Sequence, residues 1–232
     1  MTRAELKENA KAKLHGNWGW AATIGLIMII IYIIFGLITF STTSDSFDLA
    51  SYNKQLAGNF SSSNFWAGRA NNFGSNFIIG FLMLSAAIVF LHFLEGRKDH
   101  AIGGAFSVFT DGRFVPEFLN YLLSYIFQWL WTLLLVIPGL VKSYSYAMTP
   151  YIVNDLVASG QEVGPTTGIS ASRELMDGHK WELFVLDLSF IGWDILAVLT
   201  LGIGFIWLIP YEQTTKANFY RNIAGDKFRT IQ

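Results

Sequence analysis

The stretch that decides the fold is Ile24-Gly-Leu-Ile-Met-Ile-Ile-Ile-Tyr-Ile-Ile-Phe35, which is apolar on every face of a helix. It lies inside a longer run, residues 18–40, that contains no charged side chain. A helix in water needs a polar face, whereas a helix in lipid does not, and about 20 apolar residues are enough to cross a bilayer. We therefore predict a membrane-spanning helix over residues 18–40.

The composition of the whole chain agrees with a membrane location. Of its 232 residues, 52% are hydrophobic, 16% are aromatic and only 14% are charged, whereas a soluble domain carries about 25% charged residues. The net charge of −1 argues against nucleic acid as a partner, because nucleic-acid-binding proteins carry a basic surface. The absence of cysteine excludes disulfides and thiolate metal sites.

Hydropathy predicts five further spans, and therefore an all-α transmembrane bundle of about six spans that forms a single domain over residues 1–232. The spans at 76–94 and 118–137 contain no charged side chain, whereas those at 140–158, 181–199 and 201–219 contain a few. Because charged groups in a bilayer are costly, we expect the last three helices to pack against protein rather than lipid.

The basic residues predict the orientation of this bundle. If both termini are cytoplasmic, all sixteen Lys and Arg residues except Lys54, Arg69 and Lys142 lie on the inner side, as the positive-inside rule requires. Residues 41–75 then form a long outside loop. Whether this loop is a ligand lid, binds a partner or rests on the outer headgroups stays open.

Two amphipathic segments are predicted to lie on the inner membrane surface. Thr2 and Glu5 have the spacing of a helix capping box, and the basic residues of the following helix are suited to anionic lipid. The second segment covers residues 169–176. The candidate contacts to lipid or to a partner are Lys7, Lys11, Lys13, Ser172 and Arg173. The alternative is that the first helix only anchors and orients the first span.

Polar and aromatic side chains within the second half form a candidate pocket. They are Lys142, Tyr144, Tyr146, Tyr151, Asp155, Asp187, Ser189, Trp193 and Asp194. Asp187 and Asp194 share one helical face because they are seven residues apart, and we predict that Lys142 pairs with Asp194. The pattern predicts a polar-lined pocket among spans four to six; hydrogen bonding between helices is the alternative.

No pattern in the sequence indicates an enzyme, a metal site or a cofactor. The histidines His15, His92, His100 and His179 form no zinc-binding motif, and neither a nucleophile elbow nor a phosphate-binding loop is present. Two functions stay open. The first is non-enzymatic binding of lipid, a small amphiphile or a membrane partner, in envelope maintenance or protection. The second is secondary transport coupled to protons or ions through Asp187 or Asp194.

Several long strings of the sequence resemble a known family. They are Trp129–Gly139, Lys142–Tyr151, Ser172–Lys180, Leu186–Trp193 and Ala217–Tyr220, and Arg3–Trp20 is similar as well. Together they resemble the DUF975 family of integral membrane proteins of Gram-positive bacteria. The resemblance implies a location in the bacterial cytoplasmic membrane. It implies no catalytic or binding residues, because the family has no assigned function.

Overall fold

A computed structural model describes residues 1–44, 62–98, 100–105, 109, 113–134 and 136–229, and within these ranges every regular element is helical. In chain order the helices are α1 (Arg3–Leu14), α2 (Trp18–Ser44), α3 (Ser62–Leu94), α4 (Ala101–Ala105), α5 (Phe114–Leu134), α6 (Val136–Tyr146), α7 (Thr149–Ala158), α8 (Thr167–Leu175), α9 (Lys180–Leu188), α10 (Ile191–Leu199) and α11 (Phe205–Ala224). The predicted all-α class is confirmed for this part of the chain.

Two helices of the described chain have the length and hydropathy needed to cross a membrane. The segments are Trp18–Leu37 in α2 and Asn76–Leu94 in α3, and they match the first two predicted spans. In the second half of the α2 segment, Ile33 and Leu37 are exposed. The last third of α3, by contrast, is buried in the protein. Exposed apolar surface of this kind marks a site of contact with a membrane or with another protein.

The prediction of a loop over residues 41–75 is wrong at both ends. α2 continues to Ser44, and α3 begins at Ser62. No proline occurs in residues 41–75, and serine and asparagine reduce helix stability by less than about 0.7 kcal/mol per residue. Polar composition alone therefore does not end these helices. Residues 45–61 lie outside the described residues.

The last three predicted spans are interrupted or shifted. The regular α-helical hydrogen bonding is interrupted at residues 147–148, between α6 and α7, and at residues 189–190, between α9 and α10, although Met148, Ser189 and Phe190 keep right-handed helical backbone angles. α11 begins only at Phe205. A nine-residue helix is about 13.5 Å long, less than half of the roughly 30 Å hydrocarbon core. Neither α9 nor α10 is therefore long enough to cross the bilayer alone, and the count of six spans is not confirmed.

Side chains from distant helices bind the backbone groups that these interruptions free. Between α6 and α7, the Ser172 hydroxyl donates to the Ser145 carbonyl (2.8 Å) and accepts from the Met148 amide (3.2 Å). Between α9 and α10, the Lys7 ammonium donates to the Ser189 carbonyl (2.9 Å). Helix ends leave such groups without partners inside the helix, so these tertiary hydrogen bonds stabilise both breaks.

α11 is the central helix and packs against α1, α2, α3 and α10. Pro210 inside α11 has no amide hydrogen for the Ile206 carbonyl. That carbonyl oxygen lies against Gly25 of α2, where a β-carbon would collide with it. Gly25 therefore allows the backbones of α2 and α11 to approach closely.

The apolar faces of the two amphipathic segments pack on protein. The predicted capping box of α1 is confirmed, since the Thr2 amide donates to Glu5 Oε2 (2.7 Å) and the Glu5 amide donates to Thr2 Oγ1 (3.3 Å). Leu6 and Leu14 of α1 are buried, and α1 packs on α11. The apolar side of α8 is buried as well, against α7. Only the polar faces of α1 and α8 are left for contact with a membrane surface.

Candidate functional site

The structure distributes the predicted pocket residues over several separate places. Tyr151 and Asp155 are buried, and the Tyr151 ring stacks on Tyr220 at 5.1 Å between centroids. Ser189 forms the break before α10, where its hydroxyl donates to the Leu186 carbonyl. The remaining predicted residues, Lys142, Tyr144, Tyr146, Asp187, Trp193 and Asp194, belong to the groups described below. These residues therefore do not line one common pocket.

Asp155 belongs to a charge network that joins α7, α11 and the end of α3. Its carboxylate accepts hydrogen bonds from Arg221 Nη2 (2.7 Å) and from the Tyr220 hydroxyl (2.7 Å). Arg221 also pairs with Glu95, which lies 2.7 Å from Arg229 Nη2 as well. Positive and negative groups compensate each other here, so the network ties the three elements together.

Asp187 pairs with α11 and with α6. Its carboxylate lies 3.1 Å from Lys216 Nζ and accepts a hydrogen bond from the Tyr144 hydroxyl (3.3 Å). α9, which carries Asp187, packs on α6. The sequence predicts a partner only for Asp194, namely Lys142. It does not indicate Lys216 as the partner of Asp187.

The predicted ion pair between Lys142 and Asp194 is wrong. The Lys142 ammonium lies over the Trp131 ring, 4.7 Å from its centroid, which is a cation–π contact. Asp194 lies beside Glu212 of α11 instead. The interruption at residues 189–190 explains the difference, because it allows α9 to follow α6 while α10 packs on α11.

A pocket of about 240 Å³ lies between α5, α6 and α7. Its apolar and aromatic lining consists of Leu84, Tyr121, Tyr125, Tyr146, Ala147, Pro150 and Val153, and its polar lining of Glu117, Asn120, Ser124, Gln128, Ser143 and Thr149. Tyr146 is the member of the predicted set that reaches it. This pocket lies between the predicted spans three and four, whereas the sequence predicts a pocket among spans four to six.

Three polar atoms of this pocket are buried without a hydrogen-bond partner in the protein. They are Ser124 Oγ, Gln128 Oε1 and Thr149 Oγ1. The other end of the Gln128 amide is held, because Nε2 donates to the Gly139 carbonyl (2.5 Å). A buried polar group without a partner costs about 1–3 kcal/mol. A molecule with hydroxyl or amine groups would supply the missing partners.

A periodic signal in the sequence could have identified this pocket. Glu117, Asn120, Ser124 and Gln128 follow one another at three- and four-residue steps on α5, so they lie on one face of the helix. Reading residues 118–137 as an uncharged span concealed this polar stripe. Counting charged residues does not reveal the stripe within residues 118–137, because Asn120, Ser124 and Gln128 are polar but uncharged.

The five candidate surface residues have different environments. Ser172 is fully buried, so its prediction as a surface contact is wrong, and its hydroxyl is used at the α6–α7 break. Lys13 and Arg173 are exposed. Burial, reinforced by the neighbouring charge of Lys11, lowers the pKa of Lys7. Lys11 lies beside the Tyr211 ring, 5.5 Å from its centroid.

Comparison with known proteins identifies the family of this chain. No curated protein and no solved structure matches it. The sequence model of DUF975, described as "Protein of unknown function", matches residues 1–146 and 132–227. These two segments overlap and together include α1 to α11, so the chain belongs to the DUF975 family.

Proposed function

We propose that this protein is a non-enzymatic membrane protein that binds a small uncharged amphiphile in the pocket between α5, α6 and α7. α2 and α3 would cross the bilayer, and the paired segments α5 with α6–α7 and α9–α10 with α11 would complete the bundle. Both termini would be cytoplasmic, as the distribution of basic residues favours. This orientation requires only that each pair of segments enters and leaves on the same side.

The observation that carries this proposal is the set of three polar atoms without partners. Ser124 and Thr149 hydroxyls can donate or accept, whereas Gln128 Oε1 can only accept. A ligand with hydroxyl or amine groups can offer a partner to each of them, and its apolar part would contact Tyr121 and Leu84. Such a mixture of apolar wall and few polar groups is typical of small-molecule sites.

A binding measurement with monoacylglycerol tests this proposal, because that lipid is uncharged and carries two hydroxyl groups. The protein is reconstituted in phosphatidylcholine nanodiscs and titrated with a fluorescent monoacylglycerol. We expect saturable binding of one molecule and a loss of about tenfold in affinity for Thr149→Val, the equivalent of one hydrogen bond. A fatty acid methyl ester, which lacks the donors, should not compete.

Thr215→Val is the matched control, because Thr215 is also buried but its hydroxyl already donates to the Tyr211 carbonyl (2.7 Å) and does not line the pocket. It should leave the affinity unchanged. Non-saturable uptake, or equal losses for Thr149→Val and Thr215→Val, would rule out ligand binding at this pocket.

Secondary transport is the second candidate function, and the grouping of Asp187, Asp194 and Glu212 favours it. The three carboxylates lie close enough to interact electrostatically, and Lys216 provides one cation for them. Carboxylates of this kind mark proton or ion pathways in membrane proteins. Proton uptake into liposomes that is abolished by Asp187→Asn and by Asp194→Asn would support transport. A parent protein without proton flux would exclude proton-coupled transport, and one without sodium flux as well would exclude coupling to that ion.

A further inference from the structure

A second concave surface, lined by other helices than the first pocket, lies between the start of α2 and the helical hairpin formed by α10 and α11. This aromatic groove has a volume of about 350 Å³. Three tryptophans, Trp18, Trp193 and Trp207, line it together with Tyr211, and Lys11 lies at its edge. Trp193 and Trp207 are each about half exposed, at 53% and 49%.

The cation at the edge of the groove has no counter-ion. Among the described residues, no carboxylate lies within ion-pair distance of the Lys11 ammonium. This ammonium instead makes a cation–π contact with the Tyr211 ring. The Lys7 ammonium, one turn earlier, donates a hydrogen bond to the Ser189 carbonyl. It also lies 3.8 Å from the centroid of the Phe190 ring. The groove therefore combines apolar aromatic walls with the positive charge of Lys11 at its edge, and the Asp194 and Glu212 carboxylates lie on the two helices of the same hairpin.

The length of the groove corresponds to one leaflet of a bilayer. From its edge at Lys11 it extends along α10 to Thr200 and Gly204 in the turn between α10 and α11. α10 has nine residues, which rise about 13.5 Å, close to half of the roughly 30 Å hydrocarbon core. Ile206, near this turn, lies level with Gly25, which is seven residues into α2.

The turn of the hairpin is suited to an apolar environment. Leu201 at its tip is 94% exposed. The polar backbone groups around it are nevertheless bonded, because the Gly202 amide donates to the Ala197 carbonyl (3.0 Å) and the Gly204 amide donates to Thr200 Oγ1 (2.9 Å). Backbone groups in lipid must be satisfied in this way. An exposed leucine above a satisfied turn indicates that the tip contacts hydrocarbon.

We propose that the aromatic groove binds one acyl chain of an anionic phospholipid whose phosphate lies on Lys11. This inference rests on the proposed membrane location but not on the amphiphile pocket between α5, α6 and α7. The positive charge of Lys11 selects an acidic headgroup, and tryptophan and tyrosine rings are the side chains that prefer the headgroup region. The hairpin then penetrates one leaflet, and its tip lies near the bilayer centre.

Native mass spectrometry of the intact protein, released from nanodiscs that contain equal amounts of phosphatidylglycerol and phosphatidylcholine, tests this proposal. We expect one retained phosphatidylglycerol, preferred over phosphatidylcholine. Lys11→Gln should reduce that preference about fivefold, as expected for one basic residue near an anionic surface, and Lys11→Arg should preserve it. Trp193→Ala should reduce retention of both lipids.

Lys13→Gln is the matched control, because Lys13 is exposed on the same helix and does not line the groove. Equal effects of Lys13→Gln and Lys11→Gln would overturn the proposal in favour of general surface attraction. Displacement of the lipid by millimolar inorganic phosphate would overturn it in favour of a free-anion site. Unchanged retention in a Trp193→Ala protein with wild-type helical content would show that the groove holds no chain. Loss of monoacylglycerol binding would leave this result unaffected, so the two proposals fail separately.

Discussion

α2 and the segment from α9 to α11 both expose large apolar side chains, but they are built in different ways. α2 is one continuous helix of 27 residues, and its apolar side chains need no particular partner. The segment from α9 to α11 is divided by residues 189–190 and 200–204, and each break depends on a specific hydrogen bond. One helix is determined by its own composition, whereas the other region is determined by contacts with distant parts of the chain.

This difference has an energetic consequence. Apolar contacts at a lipid-facing side chain are non-directional, so they tolerate substitution. A polar group at a buried break has a single partner, and its loss leaves a donor or acceptor unpaired. The second half of the protein should therefore be much more sensitive to single polar substitutions than the first half is to apolar ones.

The largest expected effect is that of Arg221→Leu in the charge network. This substitution leaves the buried Asp155 carboxylate without its cation, whereas Glu95 keeps Arg229, and breaking a buried ion pair costs about 3–5 kcal/mol. The free energy of unfolding in detergent, measured by chemical denaturation, should fall by this amount. Ile33→Ala on the exposed side of α2 should cause a much smaller change. Equal losses would contradict the contrast between the two regions.

A smaller effect is expected from Ser172→Ala at the α6–α7 break. The substitution removes two hydrogen bonds, to Ser145 and from Met148, and should lower the free energy of unfolding by about 1–3 kcal/mol. Ser170→Ala is the control on the same helix, because Ser170 is exposed. If both variants unfold at the same denaturant concentration, the break does not depend on Ser172.

Hydropathy and capping chemistry were sufficient for the first part of the fold. The segments of α2 and α3 that could span a membrane agree with the predicted spans, and the reciprocal hydrogen bonds of Thr2 and Glu5 follow directly from their spacing. These features are local, because each depends on residues within a few turns of one helix. The family was also recognisable from strings in the sequence.

The interruptions could not be derived in the same way. The break at Ser189 is stabilised by Lys7, which is 182 residues away in sequence, and nothing near Ser189 indicates that contact. Lys142 was assigned to Asp194 because both were placed in the outer half of continuous helices; the interruption invalidates that register. The polar stripe that ends at Gln128, by contrast, was present in the sequence and required only a test of helical periodicity.

The smallest expected effect is that of Glu174→Gln, at an exposed ion pair in the same half of the protein. Glu174 Oε1 lies 2.8 Å from Lys227 Nζ, and this hydrogen bond and charge lower the pKa of Glu174. A carboxyl group whose pKa is lower in the folded state stabilises the fold above its unfolded pKa of about 4.3, and this stabilisation disappears as the pH falls through the folded value. The difference in stability between wild type and Glu174→Gln should therefore be constant near pH 7, vanish in acid and shrink with added salt, because the pair is exposed to solvent. A loss as large as that of Ser172→Ala would show that charge alone, rather than burial at the breaks, makes the second half sensitive.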